Sequence, residues 1–184
     1  MEKELKGKVA IVTGAGRLRG IGRASAVALA EMGANVVVTG TGRDPDNYPD
    51  DEKSKGWKDI ESTAEQIRNK GSKAKTIVMD ISKEEDVDRM IEETIDEFGR
   101  IDILVNNAAP PYGEDRVPVI EVDNEIFKKV LFVKVYGSYL CSKAVAKIMI
   151  DQGEGGRIIN LSSSAGKEGN PNAGAELFKS AKLG

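Results

Sequence analysis

The 184-residue sequence contains no histidine and a single cysteine. Without imidazole, a Ser-His-Asp triad, a His-bound zinc and a His general base are all excluded within these residues, so acid–base chemistry falls to Tyr, Lys, Asp or Glu. The lone Cys141 excludes an intrachain disulfide, and its neighbours Leu140, Ala144 and Val145 stand at helical spacing, which marks it as a core residue rather than a nucleophile. Neither sign of charge is in large excess. The 27 basic and 30 acidic residues are interleaved, and the formal charge of −3 leaves no footprint for nucleic acid or a membrane surface. No apolar run approaches transmembrane length, and Met1–Lys6 lacks the apolar core of a signal peptide, so a cytoplasmic location is expected. With 40% hydrophobic and 31% charged residues, the chain can bury one sizeable core, and a single domain over 1–184 is expected.

Short β-branched runs alternate with longer stretches whose apolar residues recur every three or four positions. Strands are expected at 9–13, 35–39, 74–79, 103–106 and 156–161, with helices near 21–32, 58–70, 84–98 and 123–151. The strand runs are nearly continuously apolar, as befits a sheet covered on both faces, and each crossover has room for a helix. The expected fold is therefore α/β, a doubly wound parallel sheet with helices on both faces. Gly33, Gly71 and Gly99 fall where helix C-caps belong. The one long irregular connection, Gly40–Gly56, is rich in Asp, Pro, Gly and Lys and reads as a surface loop.

In such a sheet the ligand lies beyond the carboxyl ends of the strands, where strand order reverses. The first strand runs into Thr13-Gly14-Ala15-Gly16, closed by Gly20-Ile21-Gly22 at the head of an Ala-rich helix. A tight glycine turn at the positive end of a helix dipole lets main-chain N–H groups approach a pyrophosphate, so a dinucleotide is the expected ligand; a purely structural turn is the alternative. The second strand ends at Thr39-Gly40-Thr41-Gly42-Arg43, which has no acid where a NAD-preferring protein places a carboxylate for the ribose hydroxyls. Arg43, with Arg17 or Arg19 from the glycine loop, could then hold a 2′-phosphate. NADP is the expected cofactor and NAD the alternative, unless these arginines are ordinary surface charges.

The third and fourth strands end in Asp80-Ile81 and Asn106-Asn107-Ala108-Ala109, and the last run is Arg157-Ile158-Ile159-Asn160-Leu161-Ser162-Ser163. Together with the glycine turn, this ordered set resembles the short-chain dehydrogenase/reductase family, 3-oxoacyl-acyl-carrier-protein reductases included, over essentially the whole chain. The resemblance implies a Rossmann fold and an oxidoreductase that moves a hydride between NADP(H) and a carbonyl or secondary alcohol. It implies that Gly14, Gly20, Ile21 and Gly22 wrap the pyrophosphate, that Asp80 and Ile81 contact the adenine, and that Asn107, Ala108 and Ala109 line the path to the nicotinamide ribose. On the residues alone, Asp80 could instead cap the following helix, and Asn106-Asn107 could hold the sheet together.

The family's catalytic set is a Ser, a Tyr and a Lys, with an Asn on the preceding long helix. Ser163 matches the Ser, with Ser162 and Ser164 as neighbours. Where the Tyr and Lys are expected the chain has Glu176 and Ser180; a shift of two residues places Phe178 and Lys182 there, which supplies a ribose-binding Lys182 but no phenol. Lys134 stands at the Asn position. Tyr136 and Tyr139 read as packing residues of the long helix. The resemblance also implies further strands and a substrate lid beyond Gly184, so the domain reads as incomplete relative to the family, with its C-terminal strands missing. A small-molecule carbonyl or alcohol substrate and homo-oligomers are the expected partners, and no nucleic acid or membrane. The alternative function is a catalytically impaired dinucleotide-binding protein or fragment with a binding or regulatory role.

Overall fold

The computed structural model describes residues 3–110 and 117–163. Five strands, β1 (Val9–Val12), β2 (Asn35–Gly40), β3 (Ala74–Val78), β4 (Ile103–Asn106) and β5 (Arg157–Asn160), form one sheet in the order β3-β2-β1-β4-β5. Every pairing is parallel. The helices are α1 (Ile21–Glu31), α2 (Asp50–Lys53), α3 (Asp59–Asn69), α4 (Glu84–Phe98), α5 (Asn124–Leu131) and α6 (Ser138–Gln152).

Alternation along the strands divides the interior into two halves. Ala10, Val12, Val36, Val38, Ile103 and Val105 pack with Ala26 and Ala30 of α1 and with Ile60, Ala64 and Ile67 of α3. Ile11, Val37 and Leu104 point the other way, onto Val87 and Met90 of α4 and onto Leu140, Cys141, Val145 and Met149 of α6. Each fully buried aliphatic such as Ile11 contributes about 1.5–3 kcal/mol, so a strand sequence interrupted by polar residues would not tolerate this two-sided burial. The doubly wound sheet read from the sequence is the fold observed, and Cys141 lies within its core.

Most element ends fall within a residue or two of those expected. α4 stops at Gly99, whose φ of 74° supplies the left-handed cap that L side chains resist. The long helix starts at Asp123, whose carboxylate accepts from the N–H groups of Glu125 and Ile126, and it runs unbroken to Gln152. Its middle, Phe132–Gly137, is π-helical, a widening that regular spacing does not announce. It lies where the helix passes the end of β3: a Cβ on Gly137 would come within 2.6 Å of the Ile81 side chain.

The larger departure lies between β2 and α3. The expected surface loop carries a 3-10 turn (Pro45–Asn47) and α2, and it buries Tyr48 and Glu52, with Trp57 buried just beyond. At the opposite end of the sheet, the buried Asp102 carboxylate accepts from Val9 N–H at 2.9 Å, from Lys8 Nζ at 3.1 Å and from Arg100 Nε at 2.8 Å. Burial works to raise its pKa, but these donors outweigh it and hold the carboxyl below its ordinary range.

Candidate functional site

β1 lies between β2 and β4, so the reversal of strand order falls between β1 and β4, and the glycine turn meets Asn107 there. Thr13 joins the two strand ends. Its Oγ1 accepts from the N–H groups of Asn107 and Ala108, both at 3.1 Å, and donates to the Val105 carbonyl at 3.3 Å. Asn107 Nδ2 donates back to the carbonyls of Thr13 (2.8 Å) and Gly14 (2.9 Å). The sheet-holding alternative for Asn107 is thus realised, while Asn106 Nδ2 bridges to Ser142 Oγ and Asn160 Oδ1, both at 2.9 Å.

This contact explains two of the glycines. Gly14 has φ 69°, and a Cβ there would lie 2.7 Å from Ala108 Cα; a Cβ on Gly22 would overlap Asn107 Nδ2 and sit 2.7 Å from the Gly14 carbonyl. Only glycine lets the turn, the helix and the neighbouring strand end approach this closely. Just beyond, α1 begins after Gly20 with no side-chain cap and no acidic residue in its first turn, and Ile21 is 64% exposed. Its first N–H groups have no acceptor within the helix and carry the positive end of its dipole, the donor set that a pyrophosphate fits.

At the end of β3, Asp80 does not cap α4. Its Oδ1 accepts from Ser82 N–H (3.0 Å) and Ser82 Oγ (2.6 Å), closing a turn, while α4 begins after Lys83 without a side-chain cap. The Asp80 N–H donates to Asp86 at 2.9 Å and, with Arg89, holds that carboxyl below its usual pKa. Ile81 is buried against Gly137.

The segment after β2 grips the glycine turn from the other side. The Gly16 carbonyl accepts from Trp57 Nε1 at 2.6 Å and from Arg43 Nη2 at 3.0 Å, and the Ala15 carbonyl accepts from Thr63 Oγ1 at 2.7 Å. The Leu18 N–H donates to Glu52 Oε1 at 2.9 Å. Arg43 bonds Glu52 Oε2 through Nη1 at 2.8 Å and Asp59 Oδ1 through Nη2 at 3.3 Å; its N–H donates to Asp59 Oδ2 at 3.0 Å, and its guanidinium stacks on the Tyr48 ring. Burial works against the charge on Arg43, yet the two carboxylates outweigh it and hold the guanidinium above its ordinary pKa. Asp59 has φ 50°, the one positive value outside glycine among the described residues. A Cβ on Gly16 would overlap its carboxylate, so a side chain at 16 would displace Asp59 from this position. Sequence reading assigns no role to Glu52, Trp57, Asp59 or Thr63. The one available hint is the chain's only tryptophan in an otherwise polar stretch.

Arg17 is exposed, and Arg19 is exposed and pairs with Asp51 at 2.7 Å. Ala108 and Ala109 follow β4 beside the glycine turn, and Ser162 and Ser163 follow β5, both exposed. Lys134 lies half-buried in the π-helical turn. Tyr136 donates to Glu84 at 2.9 Å and packs against the Phe132 and Tyr139 rings, as expected, whereas Tyr139, expected to pack as well, is 55% exposed. Ser164, Glu176, Phe178, Ser180 and Lys182 lie outside the described residues. Among the described residues no group of three or more His, Cys, Asp or Glu could hold a metal, and no helix is long and apolar enough to cross a membrane.

The family described as short chain dehydrogenase matches residues 8–184. A short chain dehydrogenase/reductase (astE) of Aspergillus oryzae is 41% identical over 160 residues, covering 87% of this chain and 55% of that protein. A 3-oxoacyl-[acyl-carrier-protein] reductase of Synechocystis is 37% identical over 180 residues, covering 98% of this chain and 64% of that protein. The chain thus spans somewhat more than half the length of these relatives. Among solved structures, NAD+-bound xylitol dehydrogenase superposes with a TM-score of 0.81 at 34% identity, covering 98% of this chain and 62% of that one. A short-chain type dehydrogenase/reductase from Mycobacterium marinum gives 0.81 at 30% identity, with coverages of 99% and 67%.

Proposed function

Because this chain belongs to the short chain dehydrogenase family, we propose that it is the nucleotide-binding part of an oxidoreductase that interconverts a carbonyl and a secondary alcohol with a nicotinamide dinucleotide. The observation that carries the reading is the uncapped start of α1, set behind a glycine turn that Thr13 and Asn107 pin to the end of β4. The bound dinucleotide supplies the hydride. Gly14, Gly20, Ile21 and Gly22 hold its pyrophosphate, Asp80 and Ile81 border the adenine, and Asn107, Ala108 and Ala109 border the nicotinamide ribose. Ser163 binds the substrate oxygen, and Lys182 holds the ribose hydroxyls. The exposed Phe132 and Tyr139 on the long helix support self-association, and the substrate is a small molecule. The reading as an impaired binding protein, which rests on Lys134, Glu176 and Phe178, is not favoured.

Which dinucleotide the site takes turns on its arginines. The expectation of NADP rests on the lack of an acid directly after β2 and on Arg43 together with Arg17 or Arg19; in the fold, Arg43 is bonded by Glu52 and Asp59, 9 and 16 residues further along the chain. The test is a calorimetric titration of the purified chain with NADH and with NADPH. Saturable binding of at least one is expected, and binding of neither would overturn the reading.

A further inference from the structure

We propose that the segment from Arg43 to Thr63 is a clasp that selects the dinucleotide, and that Glu52 and Asp59 act as positioning residues that turn Arg43 away from a 2′-phosphate, so that the site takes NAD(H) in preference to NADP(H). The inference rests on the nicotinamide-dinucleotide reading given above.

In a doubly wound sheet the adenosine ribose lies past the end of the second strand, beside the glycine turn. Arg43 is three residues beyond β2 and donates to the Gly16 carbonyl, which puts it in that corner. An arginine that meets a phosphate needs its paired N–H fork free. Here Nη1 is held by Glu52, and Nη2 is divided between Gly16 and Asp59. The pairing is well shielded, since the side chains of Arg43, Glu52 and Asp59 are 20%, 4% and 9% exposed. One cation and two carboxylates leave this corner net negative. A 2′-phosphate brought here meets like charge, whereas a free ribose hydroxyl can donate to a carboxylate. Arg19, also in the glycine loop, is paired with Asp51 of the same segment.

The arrangement is built rather than incidental. Asp59 sits at φ 50° to place its carboxylate, a left-handed backbone conformation that few residues other than Gly, Asn and Asp accept. Gly16 is left bare so that this carboxylate fits, and Trp57 and Thr63 bind the turn's carbonyls independently of Arg43. The turn is therefore held even when the ion pairs are altered, and the charge of the corner can be changed without releasing it.

Calorimetric titration of the 184-residue chain with NADH and NADPH, beside Glu52→Gln and Asp59→Asn, tests the proposal. In the first variant the amide oxygen can still accept from Leu18 N–H, and in the second asparagine tolerates the positive φ. The wild type is expected to bind NADH roughly tenfold or more tightly than NADPH, the decade that corresponds to about 1.4 kcal/mol. Each variant should strengthen NADPH binding by about tenfold while NADH binding moves less than about threefold. Wild-type affinity for NADPH equal to or above that for NADH would overturn the clasp and leave the dinucleotide reading standing; binding of neither would overturn that reading first. A variant that folds, as judged by its melting transition, yet keeps the wild-type ratio would also overturn it. If a variant does not fold, the wild-type ratio still decides.

Discussion

Thr13→Val tests whether the join between β1 and β4 organises the site. The side chain is fully buried, so the nearly isosteric replacement leaves no cavity. What it removes is the oxygen that accepts from Asn107 N–H and Ala108 N–H at 3.1 Å. Leaving a buried donor unsatisfied costs about 1–3 kcal/mol; both donors are half-buried and sit at the lower end, so a loss of roughly 2–3 kcal/mol is expected. Thr13→Ser is the control. It keeps the hydroxyl and gives up one buried methyl, about 1 kcal/mol. Urea unfolding followed by the fluorescence of Trp57 should show a lower midpoint for Thr13→Val at unchanged slope, with thermal midpoints down by roughly 5–10 °C. If Thr13→Val is no less stable than Thr13→Ser, the hydroxyl is not what holds the strand ends together.

Gly22→Ala places a methyl against Asn107 Nδ2 and the Gly14 carbonyl; overpacking of this kind costs about 1–3 kcal/mol, and nucleotide affinity measured by calorimetry should fall by at least about tenfold. Wild-type affinity in that variant would mean that the close approach does not shape the turn. Asp102, held below the ordinary carboxylate pKa, stabilises the fold above its unfolded value of about 3.9, and that contribution is lost as pH falls through the lower native value. Asp102→Asn should therefore lower the urea midpoint at pH 7 by the equivalent of about 2–3 kcal/mol, and the gap to wild type should close below about pH 4; a gap independent of pH would refute the assignment.

The sheet was legible because its determinants are periodic and local. Val9–Val12 and Asn35–Thr39 read as strands buried on both faces, since few polar side chains interrupt them, and Gly99 marks a helix end by the conformation it alone adopts easily. The glycine turn and the Asn107 strand end were legible for a related reason: close backbone approach restricts the residue types at Gly14 and Gly22. The π-helical turn at Phe132–Gly137 was not, because a single widened turn leaves the apolar spacing on either side almost intact.

The clasp escaped for a different physical cause. Trp57 reaches Gly16 across 41 positions and Thr63 reaches Ala15 across 48, through single polar atoms that impose no spacing and no composition on the chain between them. Its Asp, Pro, Gly and Lys content is that of a solvated loop, and only where Tyr48, Glu52 and Trp57 are buried does it become part of the site. The same Arg43 then carries opposite meanings. Unpaired at the end of β2 it would draw a phosphate; bonded to two carboxylates it completes a negative corner. On the proposed clasp, cofactor choice is a property of what Arg43 is bonded to, and a substitution at Glu52 or Asp59 is expected to alter it while every glycine, Asp80-Ile81 and Asn106-Asn107 stay in place.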